Sequence, residues 1–196
     1  MDFYMNCESA MYHYSNHSVE EFSRLDVIRK LKVLDSPYES LFNTITRTIS
    51  QVCDVPIALI SFLEEDRHWF KSKVGPRGIA EIPTQLAFCW HTITSTGIFE
   101  VEDATKDARF IKNPLVTGNP HIRFFAGASI ALPLGEKVGS LCVMDTKPNK
   151  LSDYKIAALQ GFAKVISQAL IIRDVHSRTA LGDAALEVAF KKPMLN

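Results

Sequence analysis

The chain is predicted to be an α+β domain with helices packed on a largely antiparallel sheet, and three observations support this class. Two helical patterns come first, five short strand patterns with helical insertions follow, and a long helical pattern comes last. Compact turns at 64–66 and 135–136 join neighbouring strands as hairpins. The length of 196 residues, 46% of them hydrophobic, allows one domain with a sizeable core.

The first two predicted elements are helices. Residues 1–20 are polar and aromatic without periodicity, and we expect a poorly ordered N-terminal extension there. Apolar residues recur at helical spacing from 23 to 34, with Ser23 as a plausible N-cap. A second helix is predicted from 38 to 53. Its apolar stripe consists of Leu41, Ile45, Ile49 and Val52.

The central strands follow these helices. Residues 57–63 form an apolar run without alternation, which indicates a strand buried on both faces. Residues 67–74 are predicted to pair back on it. Because side chains alternate between the two faces of a strand, this second strand is predicted to present on one face Phe70, Ser72 and Val74. Residues 75–83 contain two Gly and two Pro and are predicted to be a loop.

The remaining elements alternate between short helices and strands. They are a helix over 86–94, a strand over 98–101, a helical turn over 105–111 that ends at Asn113-Pro114, strands over 122–132 and 138–144, and a last helix from Ser152.

Composition and charge exclude several function classes. Lys+Arg and Asp+Glu both number 22, and without a net positive field we expect no nucleic-acid binding. No stretch approaches the roughly 20 apolar residues of a membrane span, and the first residues lack the pattern of a signal peptide. The four cysteines form no C-x-x-C pair, so free thiols in a reducing cytoplasm are expected.

The stretch from Asp103 to Asp145 carries a series of motifs. In order, these are Asp107-Ala108-Arg109-Phe110, Asn113-Pro114, Val116-Thr117-Gly118, Arg123-Phe124-Phe125-Ala126-Gly127 and Gly139-Ser140-Leu141-Cys142-Val143-Met144-Asp145. Upstream stand Val55-Pro56-Ile57-Ala58, Asp66-Arg67, Trp69-Phe70-Lys71, and Phe88-Cys89 with His91. In this order, over about residues 23–173, the fragments together resemble the bacterial GAF domain pattern.

The resemblance implies a GAF-like central antiparallel sheet of five or six strands. The N- and C-terminal helices would lie on one face, with ligand-pocket loops and short helices on the other. The domain would occupy residues 21–173, followed by a partly helical C-terminal extension over 174–196. Members often precede histidine-kinase or diguanylate-cyclase domains, so the resemblance implies a non-catalytic module that senses a small molecule or takes part in signalling.

Four charged residues in or beside apolar runs are candidate pocket residues: Asp103, Arg109, Arg123 and Asp145. Because an isolated buried charge is costly, we expect ion pairs and hydrogen bonds that hold the pocket-side loops to strand ends. The alternative is that Arg109 or Arg123 binds an anionic ligand in bidentate geometry.

Two cysteines and one histidine are further candidates. Cys89 and His91 are two residues apart on a predicted helix, so they do not face each other as nucleophile and base. A small buried Cys is the simpler interpretation of Cys89. Cys89 and Cys142 both flank the pocket side and can approach each other, which leaves open a thiol redox enzyme resembling free methionine sulfoxide reductase.

The last pocket candidates are Phe70, Phe110, Asn113 and Phe125. Aromatic residues dominate core packing, and a subset of them can line an apolar ligand cavity. The six histidines show no metal-ligand spacing, and the sequence identifies no cofactor.

The final helix carries more apolar surface than one sheet can cover. Its heptad-like stripe, expected to pack on the sheet, consists of Ile156, Leu159, Ala163, Ile166 and Leu170. Further apolar residues, including Phe162 and Val165, lie on other sides of the helix. They indicate a helical dimer interface. The resemblance to GAF domains implies that a homodimer would pair through the first and last helices, with a small molecule or a signalling protein as partner. A ligand-free GAF scaffold for protein–protein interaction stays open as an alternative.

Overall fold

The computed structural model describes residues 19–36, 39–64, 67–75, 81–83 and 88–190. The extension predicted for the N-terminus therefore lies almost wholly outside the described residues. The helices are α1 (Val19–Lys30), α2 (Ser40–Cys53), α3 (Cys89–Thr94), α4 (Pro114–Thr117) and α5 (Asp153–Phe190). The strands are β1 (Ile57–Leu63), β2 (Arg67–Val74), β3 (Glu81–Pro83), β4 (Ile98–Val101), β5 (Phe124–Ala131) and β6 (Lys137–Asp145).

The strands form one six-stranded sheet in the order β3-β2-β1-β6-β5-β4. Each neighbouring pair is antiparallel, which confirms the predicted α+β class and sheet. The prediction of a continuous loop over 75–83 is wrong, because Glu81–Pro83 pairs with β2 as an edge strand. A proline at the end of a short edge strand costs no ladder hydrogen bond, since its missing N–H can face away from the sheet.

Helices α1, α2 and α5 cover one face of the sheet and bury a layer that we call the helix-side core. It contains, among others, Ile28, Ile45, Ile49, Cys53, Ile60, Phe62, Phe124, Leu141, Leu159 and Ile166. Alternate residues of the strands point to the opposite face, where α3 and the β4–β5 connection bury the loop-side core. It contains, among others, Leu59, Leu63, Phe70, Phe88, Cys89, Phe99, Phe110, Phe125 and Cys142.

Helix α1 lies earlier in the chain than its sequence pattern predicts. It spans Val19–Lys30, so Ser23 is inside the helix and the proposed N-cap there is wrong. Lys32 and Asp35 then adopt positive φ angles of 48° and 51°. These left-handed residues end the helix and turn the chain toward α2, although Leu31 is still buried in the helix-side core.

The predicted helical turn over 105–111 is a set of tight turns. Asn113 and Pro114 start a helix rather than end one. The side chain of Asn113 accepts a hydrogen bond from the backbone N–H of Leu115 at 2.8 Å, and proline occupies the first turn of α4. Asn is a favoured N-cap, and proline fits the first turn because no intrahelical bond needs its missing N–H.

A β-bulge in β2 breaks the alternation predicted for that strand. The register with β1 shifts between Ile60 and Ser61, so Ser61 faces Phe70 and Ile60 faces Ser72. Both Lys71 and Ser72 therefore contact the helix side, contrary to the prediction that Ser72 shares a face with Phe70. Sequence alternation does not reveal such an extra residue.

Helix α5 combines a buried part with a long continuation. Leu159, Ala163, Ile166 and Leu170 are buried against the sheet, as the heptad-like stripe predicts. The segment Asp153–Val175 is long and apolar enough, by length and composition alone, to cross a membrane. Its buried stripe gives that hydrophobicity a packing role in the domain core.

Candidate functional site

Aromatic rings fill the described part of the loop-side core. Phe88 stacks on Phe110 with ring centroids 4.1 Å apart and on Phe125 at 5.1 Å. The His91 ring stacks on Phe99 at 5.4 Å and meets the edge of Phe110 at 5.1 Å. These separations are typical of favourable aromatic pairs, so the rings form one rigid cluster over strands β4 and β5.

A buried polar cluster lies beside these rings. The Sγ atoms of Cys89 and Cys142 are 3.3 Å apart. The Ser140 hydroxyl lies 3.0 Å from the Cys142 sulfur and 3.1 Å from the Ser61 hydroxyl. All four side chains are buried, so this contact between two thiols is shielded from solvent.

A glycine brings the two thiols together. Gly127 on β5 faces Cys142 on β6, and a Cβ atom at Gly127 would lie 2.5 Å from the hydroxyl oxygen of Thr92 on α3. A side chain at Gly127 would fit only if Thr92 moved away. Helix α3 therefore rests directly on the sheet, and its first residue, Cys89, reaches Cys142.

His68 completes the buried cluster and was not singled out from the sequence. It pairs with Leu63 across the β1–β2 ladder and is fully buried. Among the described residues, neither of its ring nitrogens has a hydrogen-bond partner. The sequence carried one signal for His68. Side chains two residues apart in a strand share a face, so His68 lies on the same loop side of β2 as Phe70.

The two thiols differ in acidity. Contact with Cys142 lowers the pKa of Cys89 well below its ordinary value, burial opposes this, and the neighbouring His68 lowers the pKa further. Burial raises the pKa of Cys142, and the contact with Cys89 raises it again. The contact therefore makes Cys89 the more acidic thiol of the pair, with Cys142 placed to donate a hydrogen bond to its sulfur.

Arg109 covers the outer edge of the aromatic cluster. Its guanidinium donates to the Asp107 carboxylate at 2.9 and 2.5 Å, and it lies 4.9 Å from the Phe99 ring centroid. The hydrogen bonds from Arg109 lower the pKa of Asp107. Burial lowers the pKa of His91, and the positive charge of Arg109 lowers it further. Arg109 thus has a carboxylate partner, and His91 is held toward its neutral form.

The other charged candidates have local partners. Asp103 accepts from the N–H and hydroxyl of Thr105. Arg123 donates to the backbone carbonyls of Val116 and Ile122, at 2.8 and 3.1 Å.

Asp145 lies at the end of β6 and accepts from the N–H of Lys147. Within the described part of the chain, Asp103, Arg109, Arg123 and Asp145 form no ion pair with one another. The structure brings together Phe70, Cys89, Phe110, Phe125 and Cys142 in the loop-side core, with His91 against its rings. It leaves Asp103, Asn113 and Asp145 in turns and at a strand end around that core.

A second polar network connects β2 to α5 and was also missed from the sequence. The buried ammonium of Lys71 lies 2.7 Å from the Glu39 carboxylate. Arg173 on α5 contacts the same carboxylate at 2.6 Å. Lys71 also donates to the Ser36 hydroxyl and faces the Phe42 ring, so its buried charge is compensated on several sides.

Burial lowers the pKa of Lys71, and Glu39 opposes that shift. Burial has the largest single effect on the pKa of Glu39 and raises it, but the hydrogen bonds and charges of Lys71 and Arg173 together outweigh burial and lower this pKa. No group of three or more metal-ligating side chains occurs in the part of the chain that is described.

Known proteins share the sequence pattern and the architecture of this chain. The sequence profile of the GAF domain family matches residues 37–170. A cyclic di-GMP phosphodiesterase of Pseudomonas aeruginosa is 39% identical over 148 residues, which cover 75% of this chain and 25% of that protein. The chain thus matches only a quarter of the length of this relative.

Solved structures show the same fold. The GAF domain of an Acinetobacter phosphoenolpyruvate-protein phosphotransferase is similar with a TM-score of 0.54 and 19% identity, over 82% of this chain and 98% of that one. The PixJ GAF domain of Thermosynechococcus elongatus is similar with a TM-score of 0.57 and 12% identity, over 83% of this chain and 96% of that one. The family's members are sensory and signalling modules. With most of its length matched, this chain belongs to the GAF domain family.

Proposed function

We propose that this GAF domain is a non-catalytic signalling module that relays the state of its loop-side core through its terminal helices. It acts as a homodimer paired along α5, with α1 beside it. The observation that carries the proposal is an apolar stripe on α5 whose outer members, Tyr154, Val165 and Ile172, are left exposed by the domain, while Ala158, Phe162 and Ala169 also border the helix-side core.

The stripe consists of Tyr154, Ala158, Phe162, Val165, Ala169 and Ile172. The successive spacings are four, four, three, four and three residues, so the stripe from Ala158 onward has the alternation of a coiled-coil seam. At about 100° per residue the centre of the stripe lies roughly a third of a turn from the residues that pack on the sheet. Val165 is 46% exposed and Ile172 56%. A second copy of the same helix is a suitable partner, because it presents the same seam in return.

Helix α1 supports a broader interface. Phe22 is 63% exposed on α1. Val27 of α1 and Leu31, just past the end of that helix, line a shallow groove together with Ile171 of α5, so the two helices are neighbours on the surface. An interface centred on α5 would therefore extend naturally onto α1.

The network of Lys71, Glu39 and Arg173 supports a route for the relay. It joins strand β2, whose other face carries Phe70 and His68, to α5 at a point beyond the buried stripe. A change in the loop-side core that moves β2 would act on α5 through this carboxylate. Coupling requires a ligand or modification that favours one arrangement of these elements over another.

The relative from Pseudomonas aeruginosa supports a regulatory role. Its name assigns it cyclic di-GMP hydrolysis, and the similar stretch is a quarter of its length. We therefore place this module in bacterial signalling, with a small molecule or a signalling protein as its partner. A balanced formal charge is consistent with a cytoplasmic domain that binds neither nucleic acid nor membrane.

Sedimentation of a Val165→Glu variant tests the paired helix. The wild type is expected to sediment as a dimer and Val165→Glu as a monomer, because the new carboxylate would be buried in the seam. Gln160→Glu adds the same charge at an exposed position of α5 off the stripe, and should stay dimeric. Far-UV circular dichroism checks that both variants fold. Equal masses for Val165→Glu and wild type would refute the interface.

A ligand-free scaffold is the second candidate, and the aromatic cluster favours it. The rings of Phe88, Phe110 and Phe125 contact one another where a pocket would open. Native mass spectrometry of protein purified without added ligand separates the two. A bound small molecule supports the sensor, and an unliganded mass that no candidate nucleotide or metabolite changes supports the scaffold.

A further inference from the structure

We propose that Cys89 and Cys142 form a reversible intramolecular disulfide when the domain meets small hydroperoxides. Two observations carry this modification site: the direct contact between the buried thiols and the buried imidazole beside them. The inference is independent of the signalling role, because the chemistry needs only this cluster.

The geometry is that of a dithiol close to bonding. The sulfur atoms are 3.3 Å apart, although 53 residues separate them in the chain. A disulfide needs an S–S distance of about 2 Å, so a side-chain rotation or a small shift of α3 closes the gap. Cys89 lies at the first residue of a six-residue helix, and Cys142 lies in a central strand. The motion therefore falls on α3 rather than on the sheet, and the same movement must admit the hydroperoxide, because both thiols are buried.

The neighbours of the pair are suited to the reaction. His68 is fully buried, and neither of its nitrogens has a hydrogen-bond partner within the described residues. His68 contributes to the lowered pKa of the Cys89 thiol, which favours the nucleophilic form of that sulfur. The Ser140 hydroxyl lies 3.0 Å from the Cys142 sulfur, and this contact helps to orient the second thiol. The acidity difference described above agrees with Cys89 as the attacking sulfur.

The reaction balances in two steps. The Cys89 thiolate attacks the O–O bond of the hydroperoxide, so that an S–O bond forms, the O–O bond breaks, and the departing alkoxide takes the proton that the Cys89 thiol released. The products are an alcohol, or water from hydrogen peroxide, and a sulfenic acid on Cys89. The Cys142 sulfur then attacks the Cys89 sulfur, the S–O bond breaks, and the hydroxide leaves as water with the proton of Cys142. Two thiols are oxidised, one peroxide is reduced, and a dithiol reverses the change by exchange.

Peptide mapping of the whole chain tests the site. Native wild-type protein is treated with hydrogen peroxide, its remaining thiols are alkylated under denaturing conditions, and the digest is analysed by mass spectrometry. We expect a peptide pair joined through Cys89 and Cys142 that loses its link on addition of dithiothreitol. Cys53, buried in the helix-side core, should remain a free thiol and serves as the internal control.

Two variants sharpen the result. Cys142→Ser should yield oxygen adducts on Cys89 and no internal cross-link, whereas Cys53→Ser should cross-link like the wild type. Circular dichroism identifies any variant that fails to fold, and the wild-type map stands without the variants. The proposal is overturned if Cys89 and Cys142 both remain alkylatable after treatment, if Cys89 carries oxygen while Cys142 stays free, or if only bonds between chains form.

Discussion

The two faces of the sheet both bury cysteine, in very different surroundings. Cys53 lies in the helix-side core, where burial raises the pKa of its thiol to about 11. Cys89 and Cys142 lie in the loop-side core, in contact with each other and close to Ser140 and His68. All three thiols are buried, so burial alone does not make a thiol inert or reactive.

The difference extends to the whole of each layer. Aliphatic side chains from three helices dominate the helix-side core, and its polar groups are satisfied at its margins by the bridge from Lys71 to Arg173. Aromatic rings and the thiol cluster make up much of the loop-side core, where His68 and Thr92 carry buried polar atoms without partners among the described residues. One face therefore supplies most of the packing, and the other holds chemical groups that can respond.

The largest expected effect is on the helix-side core. Replacing the fully buried Leu159 by alanine removes side-chain contacts from the layer between α5 and the sheet. We expect the free energy of unfolding to fall by about 2–5 kcal/mol, measured by urea denaturation. Leu134→Ala is the matched control, because that leucine is 90% exposed in the β5–β6 turn and should change stability by less than about 0.5 kcal/mol. Similar losses for the two variants would show that α5 does not stabilise the domain as described.

The pH dependence of stability sharpens the contrast between the cysteines. The thiol of Cys53 titrates ordinarily at 9.0 and in the folded protein at about 11, so the unfolded chain loses this proton first as pH rises. The stability that this raised pKa contributes is fully present below pH 9 and is lost as the pH rises through 11. The free energy of unfolding falls by about 2–3 kcal/mol over this range. The difference in unfolding free energy between wild type and Cys53→Ala should therefore fall across this range. Taking the difference cancels the titration of lysines and tyrosines, which both proteins share. A constant difference would contradict the assigned pKa.

A smaller effect is expected where α3 contacts the sheet. Gly127→Ala places a methyl group against Thr92 and should destabilise the domain by about 1–3 kcal/mol through overpacking. Thr92→Ala in the same chain removes the clashing hydroxyl and methyl groups and should restore part of the loss. Gly161→Ala on α5 meets no neighbour within 4 Å and should be neutral or stabilising. Additive losses in the double variant would mean that Thr92 does not set the position of α3.

Sequence patterns predict the elements whose burial is regular. The apolar run of β1 follows directly from its two buried faces. The stripe predicted for α2 is right at Ile45 and Ile49 but wrong at Leu41, which is 44% exposed while its neighbour Phe42 is buried. The start of α1 was missed because its first residues are polar and its one early aromatic residue, Phe22, is exposed. The edge strand Glu81–Pro83 is too short for a period to show, and its pairing depends on where β2 lies.

The candidate site was predictable only in part, because a local sequence pattern shows which residues are apolar but not which elements meet. Apolar and aromatic residues of the motifs, such as Phe110 and Cys142, are buried where the family resemblance implies a pocket wall. Contacts between elements depend on register and on helix placement. The position of His68 requires the ladder with Leu63, and the contact between the two thiols requires the missing side chain of Gly127. The bulge at Lys71, which creates the bridge to Glu39 and Arg173, leaves no mark in the alternation.

The length of α5 has a mechanical consequence for any signal that starts in the domain. The helix has 38 residues and therefore extends over about 57 Å, of which the buried turns from Leu159 to Leu170 occupy less than a third. The remaining stretch to Phe190 is a lever arm of about 30 Å. A tilt of about 5° at its anchored end would carry the far end roughly 2–3 Å sideways, an ordinary helix shift in switching proteins. A rearrangement small enough to fit inside a tightly packed core is thus amplified at a distance, without any loosening of that core.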